Sequence, residues 1–321
     1  MSTDDSMFQL DEKLAAANMR GQWKSEAFLS AAIGGPKPAG TPTVWRWRDV
    51  MACMEEAERA MPESLQARRS LIFQNPALPR GTTHTINMGV QMILPGEVAW
   101  AHRHSIAALR FIIEGAPQLT TIVDGRNCVM ETGDLVLTPN WSWHDHHNKS
   151  DRRALWLDVL DVPLVLGLNQ TFYEPGSGEN QPDVDPDRRG GALRFRWCEA
   201  LAAVRDLAVD PHEAQTHEYR DPETGGPCLT TLACRLVRLP PGFVGRPLRT
   251  SASSVWFVIE GHGSVDVEGH APISWSARDS FVAPNWGEYA ISNGSQVDEA
   301  LLFCVSDEPA LRALGLYRSS R

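Results

Sequence analysis

The segment LRFIIEG at residues 109–115 recurs as VWFVIEG at residues 255–261. Two more matches follow in the same order: GDLVLTPNWSWHDHHN at 133–148 with RDSFVAPNWGEYAISN at 278–293, and LWLDVLDVP at 155–163 with LLFCVSDEP at 301–309. Each second copy begins 145 or 146 residues after the first. Ordered matches at a nearly constant offset indicate a duplicated structural unit. The copies are short runs rich in Val, Ile, Leu and Phe, separated by turn residues, which is typical of antiparallel strands.

The duplication predicts a mainly β chain with two jelly-roll β-barrel domains and a helical N-terminal segment. We expect a helical segment and arm at 1–80, with helices over 8–34 and 48–69, and the first barrel at 81–173. A linker and connecting segment is expected at 174–227, because its first part, EPGSGENQPDVDPDRRGG, is polar and rich in Pro and Gly. The second barrel, with a C-terminal helix, is expected at 228–321.

The overall composition excludes several function classes. The net charge of -10 and a pI near 5.5 argue against non-specific binding to nucleic acids or anionic membranes. The chain has neither a signal-peptide pattern at its N-terminus nor a run of 18 apolar residues, and its six cysteines form no CxxC pair, so we expect a cytoplasmic protein with reduced thiols. Motifs of serine hydrolases, P-loop NTPases, dinucleotide-binding domains and zincins are missing.

The first copy carries three histidines that the second copy lacks. On a strand, His102 and His104 would share a face, because side chains alternate with a period of two. At the positions of His102, His104 and His144 the second copy has Leu248, Thr250 and Tyr289. The scaffold therefore repeats without the histidines, and three imidazoles at these spacings indicate a metal site.

The first histidine pair lies in a pattern that resembles the first motif of the cupin superfamily, G-x5-H-x-H-x3,4-E-x6-G. Gly96, His102, His104 and Gly115 occupy its positions. The glutamate position holds Ala108, which removes the usual carboxylate ligand. Three neutral imidazoles would leave a divalent ion with its full positive charge and with open coordination positions, unlike a site of two histidines and one carboxylate.

The third histidine lies in a pattern that resembles the second cupin motif, G-x5-P-x-G-x2-H-x3-N. Gly133, Pro139, His144 and Asn148 match it, whereas Trp141 stands at the internal glycine. Trp286 repeats Trp141 in the second copy, where no histidine triad is present, and this favours a structural role for both.

A bicupin with three histidines and alanine at the glutamate position resembles the gentisate 1,2-dioxygenase family. This family includes salicylate, 5-nitrosalicylate and 5-halosalicylate, and 1-hydroxy-2-naphthoate dioxygenases, and the resemblance covers nearly the whole chain. It implies Fe(II) and no organic cofactor, with O2 and an aromatic 2-hydroxy acid such as gentisate or a 5-substituted salicylate as substrates. The ring would open between its carboxyl-bearing and hydroxyl-bearing carbons, and the enzyme would be a homotetramer. The alternatives are another metal-dependent cupin enzyme and a non-catalytic bicupin that binds a small aromatic acid.

Three further polar residues of the first copy are expected near the metal. Arg110 lies six residues after His104 and would share its face, where it could bind the substrate carboxylate or form an internal salt bridge. His146 and Asp158 are the expected catalytic residues. His146 could hydrogen-bond the phenolic oxygen or O2, or be a fourth ligand or a loop residue. Asp158, replaced by Cys304 in the second copy, could orient an imidazole or contact a ring substituent.

The strand before the first motif is expected to line the substrate pocket. Asn87, Gly89 and Gln91 alternate on one face, where Asn87 and Gln91 could contact substrate oxygens. Gly89 could give room to the aromatic ring or mark a β-bulge. Three arginines before the barrel could cap its mouth, although a solvated surface position is the simpler expectation for each: Arg68, Arg69 and Arg80.

Overall fold

The computed structural model describes residues 3–25, 32–61, 69–176, 180–182, 191–210 and 212–320. Residues 1–37 form one compact unit and residues 38–321 another. The first unit contains helix Thr3–Ala16 and the 3-10 helix Gln22–Ser25. The long helix starts before the expected span 8–34, and it ends near Asn18, whose positive φ of 55° is the left-handed conformation common after helices. Residues 26–31 of that span lie outside the described residues.

The first barrel consists of two antiparallel sheets, with strands numbered in chain order. One sheet has the spatial order β12 (Arg194–Phe195), β8 (Leu135–Thr138), β5 (Ala108–Glu114), β10 (Ala154–Leu160), β3 (Asn87–Ile93) and β2 (Arg69–Ile72). The other has the order β11 (Tyr173–Pro175), β4 (Val98–His104), β9 (His144–Asn148), β6 (Ala116–Val123) and β7 (Arg126–Met130). A short helix, Val162–Gly167, follows β10.

The second barrel repeats this arrangement. Its larger sheet has the order β1 (Thr43–Trp45), β19 (Ser280–Ala283), β16 (Ser254–Glu260), β21 (Ala300–Ser306), β14 (Ala233–Leu239) and β13 (Gln215–Tyr219). The remaining strands are β18 (Ile273–Ser276), β17 (His262–Val267) and β20 (Tyr289–Asn293) in one sheet, with β15 (Arg249–Thr250) paired to β22 (Ser319–Ser320). Helix Glu308–Ala313 follows β21.

Strand registers show that the two barrels are copies. Leu157 pairs with Phe111 in the first barrel, and the residues 146 positions later, Phe303 and Phe257, pair in the second. The predicted fold class, a mainly β bicupin with an N-terminal helical segment, is confirmed. The proposed boundaries at residues 80, 173 and 227 stay a prediction. None of the described helices is both long and apolar enough to cross a membrane.

Each barrel is completed by an arm that precedes the other barrel in sequence. The first arm (residues 38–60) contains β1 and helix Trp47–Ala60, and β1 pairs with β19 of the second barrel. The second arm (residues 191–210) contains β12 and helix Trp197–Arg205, and β12 pairs with β8 of the first barrel. The second arm falls within the expected connecting segment 174–227. Residues 62–68 of the helix expected over 48–69 lie outside the described part of the chain.

A carboxylate of the receiving barrel holds the start of each arm helix. The Trp47 amide donates to Asp279 Oδ1 at 2.9 Å, and the Trp197 amide donates to Asp134 Oδ1 at 2.9 Å. Amides in the first turn of a helix have no intrahelical partner and carry partial positive charge, so a carboxylate stabilises them. The equivalent bonds in both halves show that the exchange of arms is part of the repeated unit.

The two barrels pack on a shared apolar core. Phe111 of β5 stacks on Phe303 of β21, with ring centroids 4.6 Å apart. Two reciprocal hydrogen bonds flank this core. Thr231 Oγ1 donates to Asp161 Oδ2 and Thr85 Oγ1 donates to Asp307 Oδ2, each at 2.6 Å. Each bond joins a carboxylate at the end of one barrel's last long strand to the segment that leads into the other barrel.

Candidate metal centre

Two adjacent strands bring the three predicted ligands together. His102 and His104 lie on β4, and His144 begins β9, directly opposite His102. A register shift between Ala99 and His102 interrupts the pairing of these strands, and such an irregularity re-aims the side chains that follow it. One ring nitrogen of each histidine lies within 4.8 Å of the others. Among the described residues these three histidines form the group that could hold a metal ion.

Backbone carbonyls fix the orientation of all three imidazoles. Nδ1 of His102 donates to the carbonyl of Trp100 at 2.8 Å, and Nδ1 of His104 donates to that of Ile106 at 2.8 Å. Nδ1 of His144 donates to the Ser142 carbonyl at 3.0 Å. Because a carbonyl oxygen can only accept, the proton sits on Nδ1 of each ring, and Nε2 is then the nitrogen that would bind a metal.

The environment of the triad also favours neutral imidazoles. Burial lowers the pKa of His104 to about 4 and lowers the pKa of His144 well below its usual value. Nε2 of His144 is buried and has no hydrogen-bond partner among the described residues. A buried nitrogen without a partner is unfavourable unless something binds it. Three imidazole nitrogens at this spacing, one of them orphaned, fit a divalent transition metal.

A buried ion pair lies beside the triad. Arg110 on β5 and Asp158 on β10 are directly opposite in the sheet, with Arg110 Nε 3.7 Å from Asp158 Oδ1. Arg110 is 3% exposed, and its Nη1 donates to Thr138 Oγ1 at 2.7 Å. Burial lowers the pKa of Arg110 and raises the pKa of Asp158, and each charge opposes the shift of the other. The internal salt bridge considered for Arg110 is therefore present, and its contact with substrate stays a prediction.

His146 lies next to the triad on β9. Its ring centroid is 5.8 Å from that of His144 and 5.4 Å from that of Trp156. Burial, followed by the nearby Arg110 charge, lowers the pKa of His146 well below its usual value, so the imidazole is neutral. Its Nδ1 is buried without a hydrogen-bond partner in the described part of the chain. His146 can therefore form a hydrogen bond through Nδ1 with a molecule bound inside the first barrel.

The strand β3 presents its polar side to the barrel interior. Met88, Val90 and Met92 pack into the core between the barrels, so the alternating residues at 87, 89 and 91 face the other way. Asn87 Oδ1 is buried and lacks a partner among the residues described, and Gln91 pairs across the sheet with residue 156.

Gly89 has a packing role of its own. A Cβ atom at this position would lie 2.1 Å from the carbonyl oxygen of Leu71 and 3.1 Å from the Cα of Ile72. The glycine is thus required for the close approach of β2, whereas the pairing of β3 with β2 and β10 is regular at Gly89 and shows no bulge there. Whether it also gives room to a substrate ring stays a prediction.

Of the three arginines expected near the mouth, Arg69 differs most from a surface residue. Its side chain is fully buried, and Nη1 lies 2.7 Å from Glu97 Oε2 while Nε donates to the Met61 carbonyl at 2.8 Å. The expectation of a solvated side chain was therefore wrong for Arg69, because Glu97 supplies the charge that makes burial tolerable. Arg80 is exposed, and Arg68 lies outside the described residues.

Trp141 and Trp286 adopt the same unusual backbone conformation. Their φ angles are 67° and 62°, in the left-handed region that a glycine normally occupies. The Trp141 amide donates to the His104 carbonyl at 2.7 Å, and the Trp286 amide donates to the Thr250 carbonyl at 2.7 Å. The repetition of this bond in the barrel without histidines agrees with a structural role.

Sequence reasoning missed two residues near the site. Tyr173 on β11 pairs with His104, and its ring centroid is 5.4 Å from that of His102. Tyr173 is 47% exposed, so it lies at the solvent-facing edge of the histidine site. Thr138, the partner of Arg110, was missed as well. Tyr173 lies beyond the motifs, and its position 69 residues after His104 gives no local signal.

Comparisons with known proteins agree with this geometry. Residues 89–160 match the cupin domain family. The 1-hydroxy-2-naphthoate 1,2-dioxygenase of Nocardioides sp. (strain KP7) is 40% identical over 95% of this chain and 85% of the relative. The 5-aminosalicylate 1,2-dioxygenase of Comamonas sp is 36% identical over 99% of this chain and 92% of the relative.

A solved structure is similar over the full length. Salicylate 1,2-dioxygenase from Pseudoaminobacter salicylatoxidans, in adducts with gentisate, superposes with a TM-score of 0.85 at 26% identity, covering 100% of this chain and 95% of that one. The expected relationship is confirmed: this chain belongs to the cupin family of gentisate, salicylate and 1-hydroxy-2-naphthoate 1,2-dioxygenases.

Proposed function

We propose that this protein is an Fe(II)-dependent ring-cleaving dioxygenase of salicylate-type acids. Its substrate would be gentisate or a 5-substituted salicylate such as 5-nitrosalicylate, with O2 inserted between the carboxyl-bearing and hydroxyl-bearing carbons. The observation that carries the proposal is the histidine triad beside a buried arginine, in a chain that belongs to this dioxygenase family.

The histidine triad supplies the metal ligands in this proposal. His102, His104 and His144 would hold Fe(II) through Nε2, because Nδ1 of each ring is held by a carbonyl. Bound Fe(II) would supply Lewis acidity and a route for electrons between the aromatic ring and O2. The three ligands include no carboxylate, so as neutral imidazoles they would leave the positive charge of the ion uncompensated. An anionic chelating substrate is therefore favoured at the site.

Arg110 would bind the substrate carboxylate. Its guanidinium is buried and its pairing with Asp158 is loose at 3.7 Å, and neither Arg110 Nε nor Asp158 Oδ1 has a hydrogen-bond partner among the described residues. A second carboxylate would satisfy the remaining donors through charge-assisted hydrogen bonds. Asp158 would hold the arginine in position and limit the net positive charge inside the barrel.

His146 would control the proton of the phenolic group. As a neutral imidazole with an orphaned Nδ1, it can accept a hydrogen bond at one nitrogen or donate one from the other. Asn87 and Gln91 would contact further substrate oxygens from β3. Apolar neighbours, Ile112, Val136 and Trp156, would limit water access to the reacting ring.

The proposed oligomeric state and cellular location rest on the resemblance to the family. We propose a homotetramer of 35.5 kDa chains in the cytoplasm, which family resemblance supports. Light scattering of the purified protein tests the assembly, and a monomeric mass would contradict it.

A substrate panel tests the proposed reaction. The protein is reconstituted anaerobically with Fe(II) and then given gentisate, salicylate, 5-nitrosalicylate, 5-aminosalicylate or 1-hydroxy-2-naphthoate in aerated buffer. We expect about one iron per chain, O2 uptake with at least one acid, and an equal amount of ring-opened product. Benzoate, which lacks the ortho hydroxyl, serves as the matched control and should consume no O2. The absence of O2 uptake with every acid, despite bound iron, would refute the proposed reaction.

A further inference from the structure

The second barrel contains a cavity of about 410 Å³ although it lacks the histidine triad. Its inner wall is formed by residues from several strands of that barrel, among them Val237, Trp256, Tyr289, Ile291 and Cys304. All five side chains are buried. A well-packed protein interior has few voids larger than a water molecule, so an open space of this size in a barrel core is a candidate binding site.

Comparison of the two barrels shows what changed in this cavity. The interior groups of the first barrel have uncharged counterparts at the same strand positions in the second. His104, Arg110, Gln91 and Asp158 correspond to Thr250, Trp256, Val237 and Cys304. The imidazole and the Arg110–Asp158 pair are gone from these positions, and the side chains that replace them leave an open space; one charged residue, Arg235, stands at the place of Gly89 and borders the cavity. The inner wall of this cavity therefore suits an uncharged molecule.

The charges near the cavity do not favour an anion. Arg235 borders it, but its Nη2 is 2.6 Å from Glu308 Oε2 and its Nε is 3.5 Å from Glu218 Oε2. Two carboxylates thus already surround this guanidinium. Arg246 also lines the cavity, but its side chain is exposed to solvent. A carboxylate entering the apolar interior would lose its hydration without gaining a free buried cation.

One polar group of the inner wall lacks a partner. Nε1 of Trp256 is buried and has no hydrogen-bond partner among the described residues. The indole is held in place by stacking on Phe281, with ring planes inclined by 3° and centroids 5.9 Å apart. The indole N–H can only donate, so a molecule in the cavity that offers an acceptor would satisfy it.

We propose that the second barrel binds an uncharged aromatic molecule of one or two rings that carries a hydrogen-bond acceptor. An engineered cavity of about 150 Å³ binds benzene, so the space here accommodates two fused rings. Trp256, Tyr289 and Phe243 supply aromatic surface, and the Trp256 N–H supplies the polar contact. This site is separate from the histidine triad and does not depend on the proposed reaction.

Fluorescence titration with the naphthalene ketone prodan tests the proposal. Prodan is uncharged, has two fused rings and a carbonyl acceptor, and emits at shorter wavelength in apolar surroundings. We expect saturable binding to the iron-loaded protein with a blue shift, and no displacement by excess salicylate. Ile291→Trp and Cys304→Phe both fill the cavity, and each should weaken prodan binding at least tenfold. Iron content and far-UV circular dichroism, both expected to be unchanged, show that these variants are folded.

Trp256→Phe tests the polar contact. It removes the N–H donor, so prodan should bind about five- to tenfold more weakly, which is the effect of one hydrogen bond. N,N-dimethyl-2-naphthylamine, which lacks the ketone, should bind wild type and Trp256→Phe within a factor of two of each other. The proposal is overturned if prodan does not bind saturably, if salicylate displaces it, or if folded Ile291→Trp and Cys304→Phe bind it like wild type.

Discussion

Replacement of Arg110 by methionine should destabilise the protein, and additional replacement of Asp158 by leucine should restore stability without restoring activity. Arg110 is the buried cation that faces Asp158 inside the first barrel. Its loss leaves a carboxylate in a site that is largely removed from water, with no positive partner at 3.7 Å. Removing both charges leaves two apolar side chains of similar size in their place.

The expected magnitude follows from the separation of the charges. With an effective dielectric constant of about 20, Coulomb's law gives roughly 4 to 5 kcal/mol for charges 3.7 Å apart. Breaking one partner of a buried ion pair typically costs about 3–5 kcal/mol. We expect Arg110→Met to lower the free energy of unfolding by about 3–4 kcal/mol, and Arg110→Met/Asp158→Leu to lie within about 1 kcal/mol of wild type.

The stability loss of the single variant should depend on pH. Burial raises the pKa of Asp158, and without the Arg110 charge that opposes this shift the pKa rises further. A carboxyl whose folded pKa is above the unfolded value of about 3.9 binds a proton more tightly in the folded state. Stability is then greatest at low pH and falls as the pH rises towards the folded pKa. The difference in stability between the single and double variants should therefore grow from pH 4 to pH 7.

Urea unfolding and steady-state O2 uptake separate the two roles of Arg110. Unfolding is followed by far-UV circular dichroism at several pH values, and O2 uptake is measured with the best acid of the panel. Both variants should lose affinity for the substrate carboxylate, seen as a raised KM. A single variant as stable as the double variant would refute the ion-pair reasoning, and a double variant with normal KM would refute carboxylate binding by Arg110.

Three other perturbations give distinct outcomes. His144→Ala should abolish iron binding in elemental analysis, whereas Tyr289→Ala, at the equivalent place in the second barrel, should keep about one iron per chain; equal iron contents would contradict a site confined to the first barrel. Thr85→Val and Thr231→Val each remove a hydroxyl that donates to a buried carboxylate between the barrels, and each should cost about 1.5–3 kcal/mol of unfolding free energy. A loss in only one of the two would show that the reciprocal bonds are not equivalent. Burial raises the pKa of Asp307 to about 6, so its contribution to stability is lost as the pH rises from about 4 to 6. The stability of wild type relative to Asp307→Asn should fall by up to about 2–3 kcal/mol over that window and then level off, and a flat difference would contradict the raised pKa.

Comparison of the two copies within one sequence was sufficient to predict the fold and to find the triad. Strand matches at a constant offset identify the barrels, and replacement of His102, His104 and His144 by unrelated residues separates the histidines from the scaffold. Arg110 was placed near His104 on the assumption of one regular strand, but β4 ends at His104 and β5 begins at Ala108 in the other sheet. Arg110 nevertheless lies beside the triad and 3.7 Å from Asp158, which the comparison with Cys304 had singled out. The successful predictions depend on matches between the two copies, which a sequence displays directly.

Features that depend on distant partners could not be predicted. Arg69 resembles a surface arginine until Glu97 is placed beside it, and Tyr173 reaches His102 only through pairing of β11 with β4. The exchange of arms was not predicted, because the recurrence of Arg46-Trp47 as Arg196-Trp197 shows that the arms repeat but does not show which barrel each arm joins. Gly89 was ambiguous for a similar reason, since the backbone of Leu71 that requires it comes from a strand not predicted.

The exchanged arms also determine the order in which the chain can complete its structure during synthesis. Ala39 of the first arm donates from its amide to Asn285 Oδ1, a residue 246 positions later in the chain. At roughly 5–20 residues per second, the ribosome needs about 12–50 s to make that partner. The first arm therefore emerges before either barrel, but it can pair only after most of the second barrel has been made. During this interval the strand edge and the apolar face of its helix are available to chaperones or to another nascent chain.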